Sequence, residues 1–375
     1  MLLLDLARSA ENEKYSLLTE APTYGAQFNE VRMKYWKISD EKMFYNQILE
    51  ASELEVDLAL STIFDYYSKP IIIRKKGGYR KIYSVDKKHM LYRLQETLCT
   101  NFLNNIMMAD TAYGFLKGFS YLDYLLVHTY IGSDGKYLRL DIKDFFGSIS
   151  RKMLVDVLGY YFELSETLNR EKRAKLIGLV AVILTFNGSI AQGAPSSPTV
   201  SNLVFRQLDI RIDRYCSCYG IRYSRYADDL LFSSQDNSVL NKSFIKGISK
   251  ILSAKGFKIN YSKTIRSINY ISLGGYVISD SIRLSRKKLS EVNTVLFWTE
   301  HNLKDLKMAE LNILLKDIYP ETTYKFNGKY ELCNYLAGNR AFIISVLKIT
   351  TDEKFIDKAN RMTIRIENVL KDLLK

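Results

Sequence analysis

The sequence predicts an α+β fold in which a mixed strand and helix region precedes a helical bundle. Three observations carry this. Two β-favouring runs flank Tyr226-Ala-Asp-Asp229, the pattern of a hairpin with acids at its tip. Strand-like and helix-like patterns alternate from residue 131 to about 283. Near the carboxyl end, Phe355, Ala359, Met362, Ile366, Val369 and Leu373 recur every three or four residues, as on a packed helix face.

In order along the chain, residues 1–130 read as mostly helical with one hairpin. Ser39 is placed to cap a helix carrying Met43, Phe44, Ile48 and Leu49. The run Ile71 to Tyr83 has β-branched flanks around Gly77-Gly78, a hairpin signal. Leu91, Leu94 and Leu98 resume the helical pattern. Residues 131–284 form the next region. Tyr137 to Ile142 is a strand, and a helix follows through Met153, Val157 and Leu158. Leu176 to Thr185 is an apolar helix, and another starts after Pro198. Ile221 to Ser233 is the acidic hairpin. A helix through Ile248 ends before Gly256, the expected C-terminal breaker. Ile268 to Ile278 and Ile282 to Leu284 are expected to close the sheet. Residues 285–375 form a bundle, with Leu289, Val292 and Leu296 on one helix and a Thr350-x-x-Glu353 capping box opening the last.

The 375 residues leave room for two or three lobes, and 47% hydrophobic content excludes wholesale disorder. A net charge of +13 points to a polyanionic partner, nucleic acid first. The 27 tyrosines interleave with Lys and Arg, which suits base stacking, although most such rings belong to cores. Four cysteines lack metal-ligand spacing, so no zinc site is expected, and reduced thiols fit a cytoplasmic location. Cys216-x-Cys218 reads as two half-buried thiols on a helix. The start Met1 to Arg8 is too short and charged for a signal peptide, and no run approaches a membrane span, so no membrane partner is expected.

Asp141 ends one strand and opens Asp141-Ile-Lys-Asp144-Phe-Phe146. Facing Asp228 on a neighbouring hairpin, it has the chemistry to clamp two Mg²⁺ ions, or Mn²⁺ in their place, for in-line phosphoryl displacement. Asp229 is then a second-line ligand or an orienting group. In Gln192-Gly-Ala-Pro-Ser-Ser-Pro198, Gly193 permits close backbone approach, and Ser196 and Pro198 sit where a helix begins. That segment reads equally well as an ordinary capped loop. Arg74 and Arg80 flank the first hairpin's tip and suit a triphosphate, against the commoner reading of a solvated turn. Lys263 suits proton donation to a departing pyrophosphate, against the default of a surface lysine.

Together these segments resemble a reverse transcriptase. Asp141 to Ile149 resembles that family's first catalytic motif, and Gln192 to Pro198 its template and nucleotide motif. Tyr226 to Asp229 resembles the metal-binding hairpin, Gly256 to Thr264 the next motif, and Leu273-Gly274-Gly275-Tyr276 the primer-grip turn. The resemblance implies a right-hand polymerase fold: fingers over 1–130, a palm with an antiparallel sheet over 131–284 (about 151–190 belonging to the fingers), and a helical thumb over 285–375. It implies Asp141, Asp228 and Asp229 as catalytic metal site, with the Ile142 backbone carbonyl as a further ligand. Phe146 would crowd a 2′-hydroxyl and so select deoxynucleotides. Arg74, Arg80, Gln192, Gly193 and Lys263 would meet the incoming nucleotide. Tyr226, Ser196, Pro198, Leu273, Gly274 and Gly275 would meet template or primer.

Within the family the chain is similar to bacterial retron-type enzymes. Ala112 to Ser120 resembles their segment before the first catalytic motif, and His128 falls at the last position of their Asn-Ala-x-x-His signature. Tyr124-Leu125 replace its Asn-Ala, and Leu273-Gly274-Gly275 replace the retron Val-Thr-Gly. A retron-type enzyme implies a structured non-coding RNA as template and primer, dNTPs, a branched RNA–DNA product (msDNA), a toxic effector protein and antiphage defence. A non-retron defence-associated bacterial reverse transcriptase is the alternative. A silent RNA-binding scaffold and another palm-type enzyme, such as a nucleotide cyclase, are the rivals from other classes.

Overall fold

Hydrogen bonding sorts the strands into three sheets among the described residues, which in this computed structural model are 36–374 without 68, 76, 77, 133 and 323. The first is a ribbon of β1 (Ile71–Lys75) and β2 (Gly78–Ile82), paired from Ile71↔Ile82 to Lys75↔Gly78. Gly77, half of the expected turn, lies outside the described residues.

The second sheet carries the site. Its order is β4 (Arg222–Tyr226), β5 (Asp229–Ser234), β3 (Lys136–Asp141), β6 (Ile265–Ile268), all antiparallel. Alternation decides what each face does. Leu138, Leu140, Leu230 and Phe232 face a first core shared with the helix Ser197–Ser217. Tyr137 and Leu231, one residue out of phase, join a second core built largely from the C-terminal helices. Arg139, Asp141 and Asp229 lie in that same phase, so these acids emerge on the sheet face that Tyr137 and Leu231 turn to the second core.

The expected sheet closure after Ile268 does not occur. Asn269 takes a left-handed φ of 70° and ends β6. Then β7 (Ile271–Leu273), β8 (Tyr276–Ile278) and β9 (Ile282–Leu284) form a separate third sheet. The two residues between β7 and β8, Gly274 and Gly275, have φ of 57° and 89°, the requirement of a tight two-residue hairpin.

We number the helices used below α1 (Tyr121–Leu126), α2 (Ser197–Ser217), α3 (Lys242–Ser253), α4 (Arg286–His301), α5 (Lys329–Leu347) and α6 (Glu353–Leu374). All six apolar positions predicted for α6 are buried, the five large ones (all but Ala359) each contributing roughly 1.5–3 kcal/mol. Leu289, Val292 and Leu296 of α4 are buried beside them.

Two caps shift from the predicted residue. Asp40, rather than Ser39, accepts from Met43 N at 2.7 Å; the Ser39 carbonyl instead takes the Ser165 hydroxyl at 2.5 Å. At α6, Asp352 accepts from Phe355 N at 3.0 Å, and Thr350 turns its hydroxyl to Asp352 N at 3.3 Å, so the expected capping box gives way to a nearer carboxylate. Cys216 is fully buried and Cys218 exposed, because they lie two residues apart at the end of α2 and face opposite ways. No helix among the described residues is long and apolar enough to cross a membrane.

Candidate metal and nucleotide site

The acids meet through strand register. Asp141 and Asp229 are directly paired across β3 and β5. Ile142 N donates to Asp228 O at 3.0 Å, which locks the chain after β3 to the β4–β5 turn. Oxygen atoms of Asp141, Asp228 and Asp229 then fall within 4.8 Å of one another. Asp141 is almost fully buried, the other two partly so.

The turn between β4 and β5 is two residues, Ala227 and Asp228. Ala227 takes φ 56°, a conformation glycine adopts more readily, so the tip is held under strain. What holds it lies beneath the sheet. Arg225 is fully buried and forms a bidentate pair with Asp209 of α2, Nε–Oδ1 2.8 Å and Nη2–Oδ2 2.7 Å. It also donates to Asn202 Oδ1 at 3.0 Å and to Ala227 O at 3.1 Å. Its guanidinium carbon sits 4.7 Å from the Phe205 ring centre. On the outer edge of β4, Arg225 N donates to Thr111 O (2.7 Å) and Tyr113 N to Arg225 O (2.9 Å). Gly114 follows so closely that a Cβ there would lie 2.5 Å from Ala227 N.

His128 adds a third brace. It is fully buried, with Nδ1 2.6 Å from Ser233 Oγ and Nε2 2.8 Å from Ser224 Oγ. Ser224 spends its proton on Tyr124 O at 2.9 Å. Its oxygen therefore accepts from His128 Nε2–H, leaving Nδ1 to accept from Ser233. The ring is neutral, and burial lowers its pKa to about 3, with the nearby Arg222 adding to the shift.

Cations crowd the acids. Lys263 Nζ donates to Asp141 Oδ2 at 2.9 Å and Asn260 Nδ2 to Asp141 Oδ1 at 3.0 Å. Arg139, two residues before Asp141 on the same strand face, forms an ion pair with Asp229 and lies 3.6 Å from Asp141 Oδ2. Burial raises the Asp229 pKa to about 6; Arg139 opposes the rise, and Asp228 and Asp141 add to it. Burial also raises Asp228, with Asp141 contributing. An all-oxygen donor set whose members repel one another suits a hard divalent cation, Mg²⁺ or Mn²⁺. The Ile142 carbonyl, which accepts no backbone hydrogen bond among the described residues, fits the same set.

The other predicted residues gather less uniformly. Phe146 is half-buried, its ring 5.5 Å from Phe145 and 6.2 Å from Phe115. Tyr83 N donates to Gln192 O at 2.8 Å, tying β2 to the Gln192 loop. Gly193 has φ 113°, and a Cβ there would lie 2.6 Å from Tyr83 O. The close approach predicted for Gly193 is thus made by the β1–β2 ribbon itself. Arg74 pairs with Tyr79 and Arg80 with Ile73, so the two arginines point to opposite faces and do not converge as expected. Arg80 shares its face with Ile82, whose side chain would meet that Gly193 Cβ at 2.7 Å. Ser196 is fully buried with no partner for its hydroxyl among the described residues, so it is not on the surface where a template strand would pass. Pro198 sits in the first turn of α2. Tyr226 contacts Tyr121 at 5.0 Å between centres; Tyr121 in turn would lie 3.1 Å from a Cβ at Gly274. One ring therefore links the Leu273–Gly275 turn to the acidic hairpin.

Sequence reasoning missed Arg139, Asn260, Arg225 with Asp209, and Phe115. Arg139 had a signal: in Leu138-Arg-Leu-Asp141 it alternates in phase with the acid. Phe115 carried none, since its φ of 64° shows only in the backbone.

Residues 73–278 match the family model described as reverse transcriptase (RNA-dependent DNA polymerase). This is more than half of the chain, and the chain belongs to that family. Within it the likeness falls on retron-type enzymes. The retron Ec86 reverse transcriptase of Escherichia coli is 29% identical over 255 residues, covering 65% of this chain and 74% of that one. The retron Mx65 reverse transcriptase of Myxococcus xanthus is 27% identical over 244 residues, 62% of this chain; the alignment spans about half of the Mx65 protein, 55%. The retron Ec83 reverse transcriptase of Escherichia coli is 28% identical over 329 residues, covering 74% and 99%. Among solved structures, telomerase from Candida albicans with a telomeric RNA fragment aligns with a TM-score of 0.42 at 13% identity, covering 84% of this chain and 66% of that one.

Proposed function

We propose that the protein extends a primer with deoxynucleotides on an RNA template, as a retron-type enzyme acting on a dedicated structured RNA. The observation that carries this reading is the meeting of Asp141, Asp228 and Asp229 within 4.8 Å at the end of an antiparallel sheet. Two bound Mg²⁺ ions would supply an activated primer hydroxyl and charge stabilisation at the α-phosphorus. The chain's own residues do the rest. Asp141, Asp228 and the Ile142 carbonyl hold the cations, with Asp229 beside them. Phe146 walls the sugar and leaves no room or hydrogen bond for a 2′-hydroxyl. Gln192 and Gly193 bound the nucleotide, and Arg80 takes its phosphates from the ribbon face nearest them. Arg74, read from the resemblance as a second phosphate contact, lies on the opposite face of the ribbon. Lys263 lies against Asp141 and would give a proton to the leaving pyrophosphate. Tyr226, Pro198 and the Leu273–Gly275 turn line the primer and template path.

The division into fingers (1–130, with about 151–190), palm (131–284) and thumb (285–375) belongs to the same reading. So do a branched msDNA product, an RNA–DNA hybrid that stays bound, a toxic effector partner, a role in antiphage defence and a cytoplasmic location. The retron relatives support the retron-type reading on which these rest, and four free cysteines fit the compartment. A second reading, a defence-associated enzyme outside the retrons, is favoured by Tyr124-Leu125 and Leu273-Gly274-Gly275 at the two signature positions.

Incubation with dNTPs and a primed RNA template tests the proposal. Labelled DNA supports it; cyclic nucleotide, or RNA binding without synthesis, overturns it. Asp228→Asn is expected to abolish synthesis and leave RNA affinity nearly intact. Sequencing the nucleic acid that co-purifies from the host separates the subgroups: short DNA joined to a unique RNA marks a retron.

A further inference from the structure

We propose that Arg139 is a positioning residue that reserves Asp229 as its own counter-ion, so that the divalent cations are held by Asp141 and Asp228 and not by Asp229. This rests on the reading above that the acids form a metal site. The three carboxylates differ in what already grips them. Asp141 is engaged by Lys263 at 2.9 Å, whose side chain is 51% exposed and whose ammonium is a point charge on a flexible stem, by Asn260 at 3.0 Å, and by Arg139 only at a longer 3.6 Å. An arriving cation can displace that ammonium into water at little cost. Asp228 has no side-chain ion pair among the described residues.

Asp229 is held differently. Arg139 is only 17% exposed in its side chain, and Asp229 22%. The guanidinium is braced on two sides, Nη2 on Asp229 and Nη1 donating to Lys263 O at 3.4 Å. It rises from β3, next to the strand that carries Asp229, with Tyr137 and Leu231 packed into the core alongside. Pulling Asp229 away would strand a largely buried cation, the costly way to break such a pair. Behind it, the fully buried Tyr124 hydroxyl and Arg139 Nε have no hydrogen-bond partner among the described residues. The pocket around Asp229 thus already holds polar groups that cannot follow it toward an ion. Arg139 orients Asp229, and Asp229 in turn fixes the start of β5 beside the metal ligands.

The test is Mn²⁺ binding to the full chain without nucleotide, read by the electron-paramagnetic signal of the free ion, with melting in EDTA and in Mg²⁺ alongside. Asp228→Asn is expected to weaken Mn²⁺ binding about tenfold or more. Asp229→Asn should weaken it less than Asp228→Asn does, since it removes no ligand. Arg139→Gln frees Asp229 and removes a positive charge, so Mn²⁺ binds several-fold tighter and the Mg²⁺-induced rise in melting temperature grows; Arg139→Lys lies between. A merely structural arginine would weaken both. Equal loss in Asp228→Asn and Asp229→Asn, or unchanged binding in Arg139→Gln, overturns the assignment alone. No Mn²⁺ binding by the wild-type chain overturns the metal reading itself, and the assignment with it.

Discussion

The two hairpins of this chain begin from the same kind of sequence and end as opposite structures. In both, β-favouring runs meet at a short turn bearing charge. The β4–β5 tip is clamped from three directions: Arg225 and Asp209 below, Thr111 to Gly114 at the edge, and His128 across the strands. The β1–β2 ribbon stands with Ile71, Ile72, Ile73 and Tyr79 exposed, tied at its base by the Tyr83–Gln192 bond and the Gly193 contact. A site that must hold oxygens within a fraction of an ångström is over-determined by residues far away in sequence. A surface that must follow nucleotide or template is not.

The difference can be broken from either side. The largest stability effect is expected from Arg225→Met, which leaves the Asp209 carboxylate buried without a cation and with only the Tyr223 hydroxyl (2.8 Å) donating to it. A loss of about 3–5 kcal/mol follows, read by urea denaturation. The double variant Arg225→Met with Asp209→Leu should recover part of it. A loss below about 1 kcal/mol would mean the tip does not depend on this pair. In the ribbon, Gly193→Ala meets both a left-handed φ and the Tyr83 carbonyl. About 1–3 kcal/mol is expected, with impaired nucleotide binding as the base of the ribbon shifts.

His128 makes the clamp sensitive to acid. Its folded pKa of about 3 lies below the ordinary 6.5, so between these values the unfolded chain binds the extra proton. Stability therefore rises with pH in that window and is lost as pH falls from 6.5 toward 3, with a limiting slope of ~1.4 kcal/mol per pH unit from this one group. His128→Gln should flatten that part of a pH series of melting curves. An unchanged slope would contradict a neutral buried ring. The smallest effect sharpens the comparison on the ribbon: Arg80→Gln should raise KM for dNTP several-fold while Arg74→Gln changes it little. Equal effects would show that the register does not separate their roles.

Much of this was legible because it is local or periodic. The α6 stripe, the acidic hairpin and the strand ending at Asp141 follow from spacing alone. The opposed faces of Arg74 and Arg80 were also legible in principle, since a ribbon's register fixes parity. The rest depends on partners distant in sequence. Nothing near Arg225 names Asp209 or Asn202, and nothing near Asp141 names Asn260. Caps moved by one or two residues, from Ser39 to Asp40 and from Thr350 to Asp352, because several side chains compete for the same backbone amides. The third sheet was hidden because the expected strand from Ile268 to Ile278 ran through Asn269, whose left-handed φ shows only in the backbone.

Soaking crystals in Mn²⁺ and collecting anomalous diffraction tests the central claim most directly. The account predicts peaks in contact with both Asp141 and Asp228. Peaks confined to other residues, in a protein that still polymerises, would contradict it.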